Sequence, residues 1–212
     1  NCLNKVTSFW DMRKHNWIEM SRETSKYDEY GRQIEYDSRQ WNVDRACWIG
    51  LEKKSYAFSD MGLIATYQEY LWNETKGDWG NLIIDEYEYN TEGQKTVEMH
   101  SKWRNNEWNR TSRTEYKYDD NGNEVLRQFF DKDNKPTKGY IGFAQKAYTY
   151  DDKGHMLSDR YYDVKNKLVL VDGIAGNNYK RDGHGNIIEE FPIGTDQKIA
   201  KGKLMVRCKY DD

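Results

Sequence analysis

The octapeptide Tyr116-Lys117-Tyr118-Asp119-Asp120-Asn121-Gly122-Asn123 recurs in degraded form along the whole chain. Its register is marked by Gly31, Gly62, Gly93, Gly122, Gly154 and Gly185, with steps of 31, 31, 29, 32 and 31 residues. The motif begins again at Cys208-Lys209-Tyr210-Asp211-Asp212. A fixed period of this length marks a repeat array, in which each copy buries its apolar surface against its neighbours. Whatever the chain folds into must be built from about six copies of one small unit.

The motif specifies what that unit is. An Asp at the first position of a turn and a Gly at the fourth fit a type I turn closed by a residue at positive φ, which Gly enters without a Cβ penalty. Such turns join antiparallel strands. Tyr116 and Tyr118 lie two apart and share one strand face, while Arg113, Glu115 and Lys117 share the other. Tyr87/Tyr89 and Tyr148/Tyr150 repeat the pattern, and Tyr56/Phe58 follows it with Ser59 in place of the Asp.

Between the turns lies a second fixed feature. All eight tryptophans fall in four pairs, Trp10/Trp17, Trp41/Trp48, Trp72/Trp79 and Trp103/Trp108. The first members step by 31 residues each time, the second by 31, 31 and 29. Each pair reads as an aromatic couple flanking a second hairpin, where cross-strand rings contribute roughly 0.2–1 kcal/mol. One repeat is therefore two strands and two turns. Only Asn16 to Tyr30 has any helix-like composition, and Ile18 and Met20 do not give a 3.6-residue period.

Composition decides between this reading and disorder. Ile, Leu, Val and Phe supply 36 of 212 residues, below the roughly 20% at which disorder becomes a concern. Aromatics at 15% and a net charge of only -3 decide for a folded chain. A mean hydropathy of -1.13 fits half-exposed antiparallel strands with a wet face. The near-neutral charge gives no electrostatic case for nucleic acid or an anionic membrane. No apolar run approaches the ~20 residues of a membrane-spanning helix, and no signal peptide is evident in this sequence. Cys2, Cys47 and Cys208 have no metal-like spacing and read as free structural thiols.

Two grammars divide the array. Residues 1–122 carry the Trp pairs. Residues 123–212 carry Phe/Tyr-Asp repeats: Phe129-Phe130-Asp131 through Pro136 matches Tyr161-Tyr162-Asp163 through Leu168, and weakly Phe191-Pro192-Ile193 through Lys198. A small Gly-containing segment follows the first two, at Gly139–Ala144 and Gly173–Gly176. No linker separates the halves, so 1–212 reads as a single β-repeat array. Asn1 aligns with Asn123 and Asn186, which follow turn glycines, and the chain reads as a segment of a longer protein.

Tyr-x-Tyr-Asp-x-x-Gly-Asn, complete at 116–123, resembles the tyrosine–aspartate (YD) repeats of bacterial RHS-type surface proteins and toxins. The later copies resemble related Phe-Phe-Asp-x-x-x-Lys and Gly-Tyr-x-x-x-x-Tyr-x-Tyr-Asp-x-x-Gly repeats of bacterial secreted and lipid-anchored proteins. The resemblance implies strand pairs wound into large spiral sheets that serve as shells or spacers, a secreted or cell-surface location, and no catalytic residues. The 31-residue period and the Trp pairs depart from the family pattern.

No constellation stands outside the repeat grammar. The Asp119–Asn123 turn lacks the length and distal Glu of a calcium loop. His15, His100, His155 and His184 sit at unrelated repeat positions, and nothing positions a base beside Cys47. We therefore expect no catalytic centre, metal or cofactor. The structural turn residues are the six glycines with Asp119 and Asp151. The expected function is a non-catalytic scaffold that meets a protein partner or forms part of a shell, with edge-to-edge self-association open to it. The alternative is a glycan- or cell-wall-binding module in which Trp10, Trp17, Trp41, Trp48, Trp72, Trp79, Trp103 and Trp108 form a stacking ladder.

The expected fold is an all-β antiparallel meander of about 13 strands, each roughly 5–9 residues long. Open sheets this wide twist and curl, so the expected form is a curled, elongated single sheet. Two measurements check this reading. Circular dichroism should show well under a quarter helix. Gly122→Val should cost about 1–3 kcal/mol by forcing a β-branched residue to positive φ, whereas Asp119→Ser keeps a side-chain acceptor and should cost less. Equal melting temperatures for the two variants would contradict the turn assignment.

Overall fold

A computed structural model describes residues 2–210, with the Tyr140 side chain left aside. Asn1 and the last two residues of the restarted motif, Asp211 and Asp212, lie outside the described residues. The described chain is all-β, with one short 3-10 turn at Gly139–Ile141. Fourteen strands follow one another in a linear, open sheet, each hydrogen-bonded to the next in sequence. They are β1 (Cys2–Asp11), β2 (Asn16–Tyr27), β3 (Gln33–Asn42), β4 (Cys47–Phe58), β5 (Ile64–Asn73), β6 (Asp78–Tyr89) and β7 (Lys95–Arg104). Then come β8 (Glu107–Tyr118), β9 (Glu124–Asp131), β10 (Gln145–Tyr150), β11 (Met156–Tyr162), β12 (Gly176–Arg181), β13 (Ile187–Pro192) and β14 (Val206–Arg207). The stretch Asn16 to Tyr30 is strand and turn. The eight strands from β1 to β8 run to 10 or 12 residues, longer than the sequence alone implies. They extend because the hairpins carry bulges that let the ladder continue past each irregularity.

Those bulges are periodic. In five hairpins the register slips by one residue just before the motif turn: Lys26 faces Glu35 but Tyr27 faces Gln33, and Lys117 faces Leu126 but Tyr118 faces Glu124. The same slip occurs at Ala57/Phe58, Thr149/Tyr150 and Lys180/Arg181. The unpaired residue is Ile34, Ala65, Val125, Leu157 or Ile188, apolar every time. A second slip in the Trp hairpins leaves out Met20, Leu51 and Leu82, again 31 apart. A bulge sharpens local twist and re-aims the strand without breaking the array.

The turns are built as the motif implies. Gly122 N–H donates to Asp119 O at 3.0 Å, and Asp119 N–H to Asn123 O at 2.9 Å. The Asp119 carboxylate also accepts from the N–H groups of Asn121 and Asn123, at 3.0 and 2.8 Å. Asp28, Asn90, Asp151 and Asp182 cap their turns in the same way. The six motif glycines have φ between +77° and +89°. The side chain after one turn glycine also lies over the next one. A Cβ on Gly62 would meet Arg32 at 3.2 Å, on Gly122 Gln94 at 2.8 Å, and on Gly185 His155 at 2.5 Å.

Packing divides the chain into two compact units, Asn1–Glu88 with Met99–Arg110, and Tyr89–Glu98 with Thr111–Asp212. The first unit has almost no aliphatic interior; its side chains are half-buried or exposed nearly throughout. The second buries Val97 and Asp159 in its strands and Ile193 in its last Phe-containing hairpin, and fully encloses Ala144 and Ala175 in the small segments after the earlier Phe/Tyr-Asp hairpins. Ala175 N–H donates to Ile193 O, and its carbonyl accepts from Tyr161. Gly176, at φ +132°, leaves room for the Asp159 carbonyl, which a Cβ would meet at 2.0 Å. Those hairpins close on Asn134, Asn166 and Gln197 at φ +59° to +61°, a turn of the same hydrogen-bonding pattern with no glycine at the left-handed position.

The Trp hairpins turn through His15, Ala46 and Gly77 at equivalent positions, with φ of +50°, +48° and +64°. The fourth uses Asn105-Asn106, both at positive φ, a two-residue turn suited to strand twist. Ala in the left-handed region costs about 1 kcal/mol. Ala46→Gly should therefore raise the melting temperature and Gly77→Ala should lower it. Opposite signs would contradict the turn geometry.

Candidate functional site

The eight tryptophans come together as four couples. Trp10 faces Trp17, Trp41 faces Trp48 and Trp72 faces Trp79 directly across their hairpins. All four couples, including Trp103/Trp108, meet edge to face, with centroids 5.0–5.5 Å apart and planes at 68–78°. This is the arrangement favoured by the ring quadrupole. Trp72 and Trp79 lie directly on the preceding hairpin, over Gly50, whose absent Cβ would meet them at 2.4 and 2.5 Å. Trp79 Nε1 donates to Asp37 Oδ2 at 2.8 Å, Arg39 forks onto the same carboxylate, and the Arg39 guanidinium sits 5.4 Å from the Trp72 ring. Half-burial opposes the charge on Asp37, but the bonds from Arg39 and Trp79 hold its carboxyl below the usual range.

One repeat earlier the seat is different. Glu19 stands where Gly50 stands, Ser8 where Arg39 stands and Val6 where Asp37 stands, each 31 residues before. Trp48 is instead covered on one side by Arg22, 4.3 Å from its centroid, and Arg22 pairs with Glu19. An open groove of about 570 Å³ remains here, lined by Trp17, Trp41 and Trp48. Trp17 is 67% exposed, whereas Trp48, Trp72 and Trp79 are half-buried.

The second unit carries a different polar row, made of the motif tyrosines. Two first motif tyrosines, Tyr116 and Tyr148, and Tyr161 beside them are interleaved with cations. Lys95 and Arg127 lie 4.9 and 5.1 Å from the Tyr116 ring, and Lys146 lies 5.1 Å from Tyr148 and 5.3 Å from Tyr161. Tyr116 donates to Glu98 at 2.9 Å and Tyr179 to Asp159 at 2.8 Å. Burial, then the neighbouring carboxylates, push the phenols of Tyr116 and Tyr179 well above their ordinary range. Burial pushes Tyr148 and Tyr161 up to about 12. Asp159 is 1% exposed; its Oδ2 accepts no hydrogen bond and faces Lys146 Nζ at 3.5 Å.

The second tyrosine has a role that no local sequence pattern signals. Tyr118 donates to the carbonyl of Lys95 and Tyr150 to that of Glu124, at 2.7 and 2.9 Å. Arg181 takes the same role toward Met156, and Tyr210 toward Ile187. Each acceptor lies two residues after the preceding turn glycine. The motif therefore stitches each of these turns to the one before it. Only the repeat spacing could have flagged this tie.

The remaining chemistry-bearing residues stay apart. His100 Nδ1 pairs with Asp85 at 2.5 Å, and His155 Nδ1 lies 3.1 Å from the Asp151 carboxylate that caps its turn. His15 and His184 lie in separate turns, and the three cysteines are free and exposed. Among the described residues no group of three or more His, Cys, Asp or Glu could hold a metal ion. No helix among them is long and apolar enough to cross a membrane.

Comparison with solved structures finds the same fold in much larger proteins. The TcdB2-TccC3-Cdc42 crystal structure matches over 95% of this chain and 10% of that chain, at 14% identity and a TM-score of 0.56. TcdB2-TccC3-TEV matches over 92% of this chain and 9% of that chain, at 15% identity and a TM-score of 0.55. TcdB2-TccC3 without its hypervariable C-terminal region matches over 91% and 9%, at 16% identity and 0.53. This chain spans about a tenth of the length of each, and at such identity the likeness is one of fold. No family model matches the chain. No curated protein matches it.

The tryptophan seat and the turn carboxylates each give a measurable outcome. Gly50→Val would drive two methyl groups into Trp72 and Trp79, an overpacking cost of about 1–3 kcal/mol. It should lower the melting temperature and red-shift tryptophan emission; an unchanged spectrum would contradict the seat. Hydrogen bonds from turn amides and side chains hold Asp119, Asp131, Asp151 and Asp163 below 3.8. A depressed folded pKa adds stability that is present above the unfolded value and lost as pH falls through the folded one. Melting temperature should therefore hold down to about pH 4, by the unfolded carboxyl value, and then drop. Asp119→Asn should blunt the drop, as Asn90 caps its own turn without a charge; an undiminished drop would contradict this origin.

Proposed function

We propose that this chain is a non-catalytic repeat scaffold acting outside the cell or at its surface, as part of a shell or as a sheet presented to a protein partner. The observation that carries the reading is the use of polar side chains. In copy after copy, the carboxylates cap turns and the tyrosine hydroxyls stitch one turn to the next. These are groups an active site would have to release, and here they hold the array. A module of this kind contributes length, surface and register, and its chemistry is association.

The resemblance to YD repeats and the fold shared with TcdB2-TccC3 structures support the same reading, because the matched region there is a small part of a long chain. On this view the exposed edges of the sheet are the places where further repeats or a second copy would add. The test is chemical. Model esters, phosphomonoesters, glycosides and peptides should show no turnover with this chain. Turnover that a single His or Asp substitution abolishes, at an unchanged melting temperature, would overturn the proposal.

A further inference from the structure

Among the described residues, Asp159 is the one charged side chain that is buried. Its Oδ1 accepts from the Tyr179 hydroxyl at 2.8 Å, and its Oδ2 accepts no hydrogen bond. Lys146 Nζ faces that bare oxygen from 3.5 Å. The register explains the approach. Asp159 lies opposite Tyr148, and Lys146 precedes Tyr148 by two residues on β10, so it shares the sheet face and reaches Asp159 diagonally. The rings of Tyr148 and Tyr161 flank the amine at 5.1 and 5.3 Å. This pair stands outside the repeat: one copy earlier Thr114 and Arg127 occupy the two positions, and one copy later Asn177 and Glu190 do.

An ion pair is a poor account of this contact. Surface pairs such as Lys5–Glu23 and Lys26–Glu35 close to 2.8 and 2.7 Å, the length of a charge-assisted hydrogen bond. A buried pair has more need to close, because its attraction must offset the desolvation of both groups. Here the acid is buried and the gap stays open. The arrangement fits an amine held against an acyl carbon. Tyr179 donates to the carboxylate oxygen on which negative charge gathers when a nucleophile adds. The other oxygen faces the amine and is free to take its proton and leave.

We propose that Lys146 and Asp159 join in an intramolecular isopeptide bond that staples β10 to β11. Lys146 passes a proton to Oδ2, its Nζ attacks Cγ, and the Cγ–Oδ2 bond breaks. Overall the ammonium gives up two protons and the carboxylate one oxygen, which depart as one water along the lysine side chain, itself 26% exposed. No outside reagent takes part. Two groups fixed in place meet at an effective concentration of about 10⁵–10⁸ M, which favours condensation over hydrolysis by bulk water. The product replaces two charges with a neutral amide. The staple lies within the second unit and goes beyond the scaffold role, which does not depend on it.

The test is the mass of the purified full chain, read under denaturing conditions. The chain should be lighter than its sequence by one water, and a protease digest should yield a branched peptide joining the segments around Lys146 and Asp159. Lys146→Arg keeps the positive charge but offers no free amine, and should show its full sequence mass. The branched peptide is read on the unsubstituted chain, so the test holds even where Lys146→Arg fails to fold. Two outcomes would overturn the proposal. One is an unsubstituted chain at its full sequence mass. The other is a water loss that persists in Lys146→Arg or maps elsewhere, as ring closure at Asp172-Gly173 would give.

Discussion

The structure depends on a turn that must close in the left-handed region at a fixed interval. Each motif glycine sits near φ +80°, where a side chain is strained. The side chain that follows the previous turn glycine reaches over Gly62, Gly122, Gly154 and Gly185, so neighbouring turns lie against one another. The positive φ is the demand on the glycine, and the overlay keeps neighbouring turns in step. Everything else in the repeat is measured from that point. The cap lies three residues before it, the stitched carbonyl two after it, and the bulged apolar residue three after it.

This constraint explains how a chain so poor in aliphatic residues holds a sheet. The first unit relies on half-buried rings laid against guanidinium and ammonium groups, a contact that keeps the cation partly wet and still gains from the ring. The second adds small buried residues, Ala144 and Ala175, whose backbone groups bond to the copies on either side. An alanine there lets two chain segments approach where a larger residue would part them. The two grammars are thus two ways of closing the second hairpin: a tryptophan couple, or a tight turn, capped by Asp131 or Asp163 in the first two copies, followed by a tucked alanine.

Much of this was legible in the sequence because it was periodic. The glycine spacing, the alternation of the motif tyrosines and the pairing of the tryptophans each follow from a repeat of two strands. The bulges were not legible, since an apolar residue such as Ile34 or Leu51 reads equally well as a paired strand position. The stitch from Tyr118 to Lys95 was hidden because its partners are 23 residues apart and the acceptor is backbone. The groove beside Trp17 was hidden for another reason. It arises where Glu19 departs from Gly50, and a departure has meaning only once the seat of the next couple is known.

An array held turn by turn makes a direct demand on native-state amide hydrogen exchange. The amides of Arg32, Asn123, His155 and Asn186 donate into their turn carboxylates. They should exchange much more slowly than those of Asp44 and Thr75 at the exposed tips of the Trp hairpins. Protection at the turns should also fall together when Gly122 is replaced by Val, beginning with Asn123 and spreading to His155. Turn amides that exchange as fast as the hairpin tips would contradict the account.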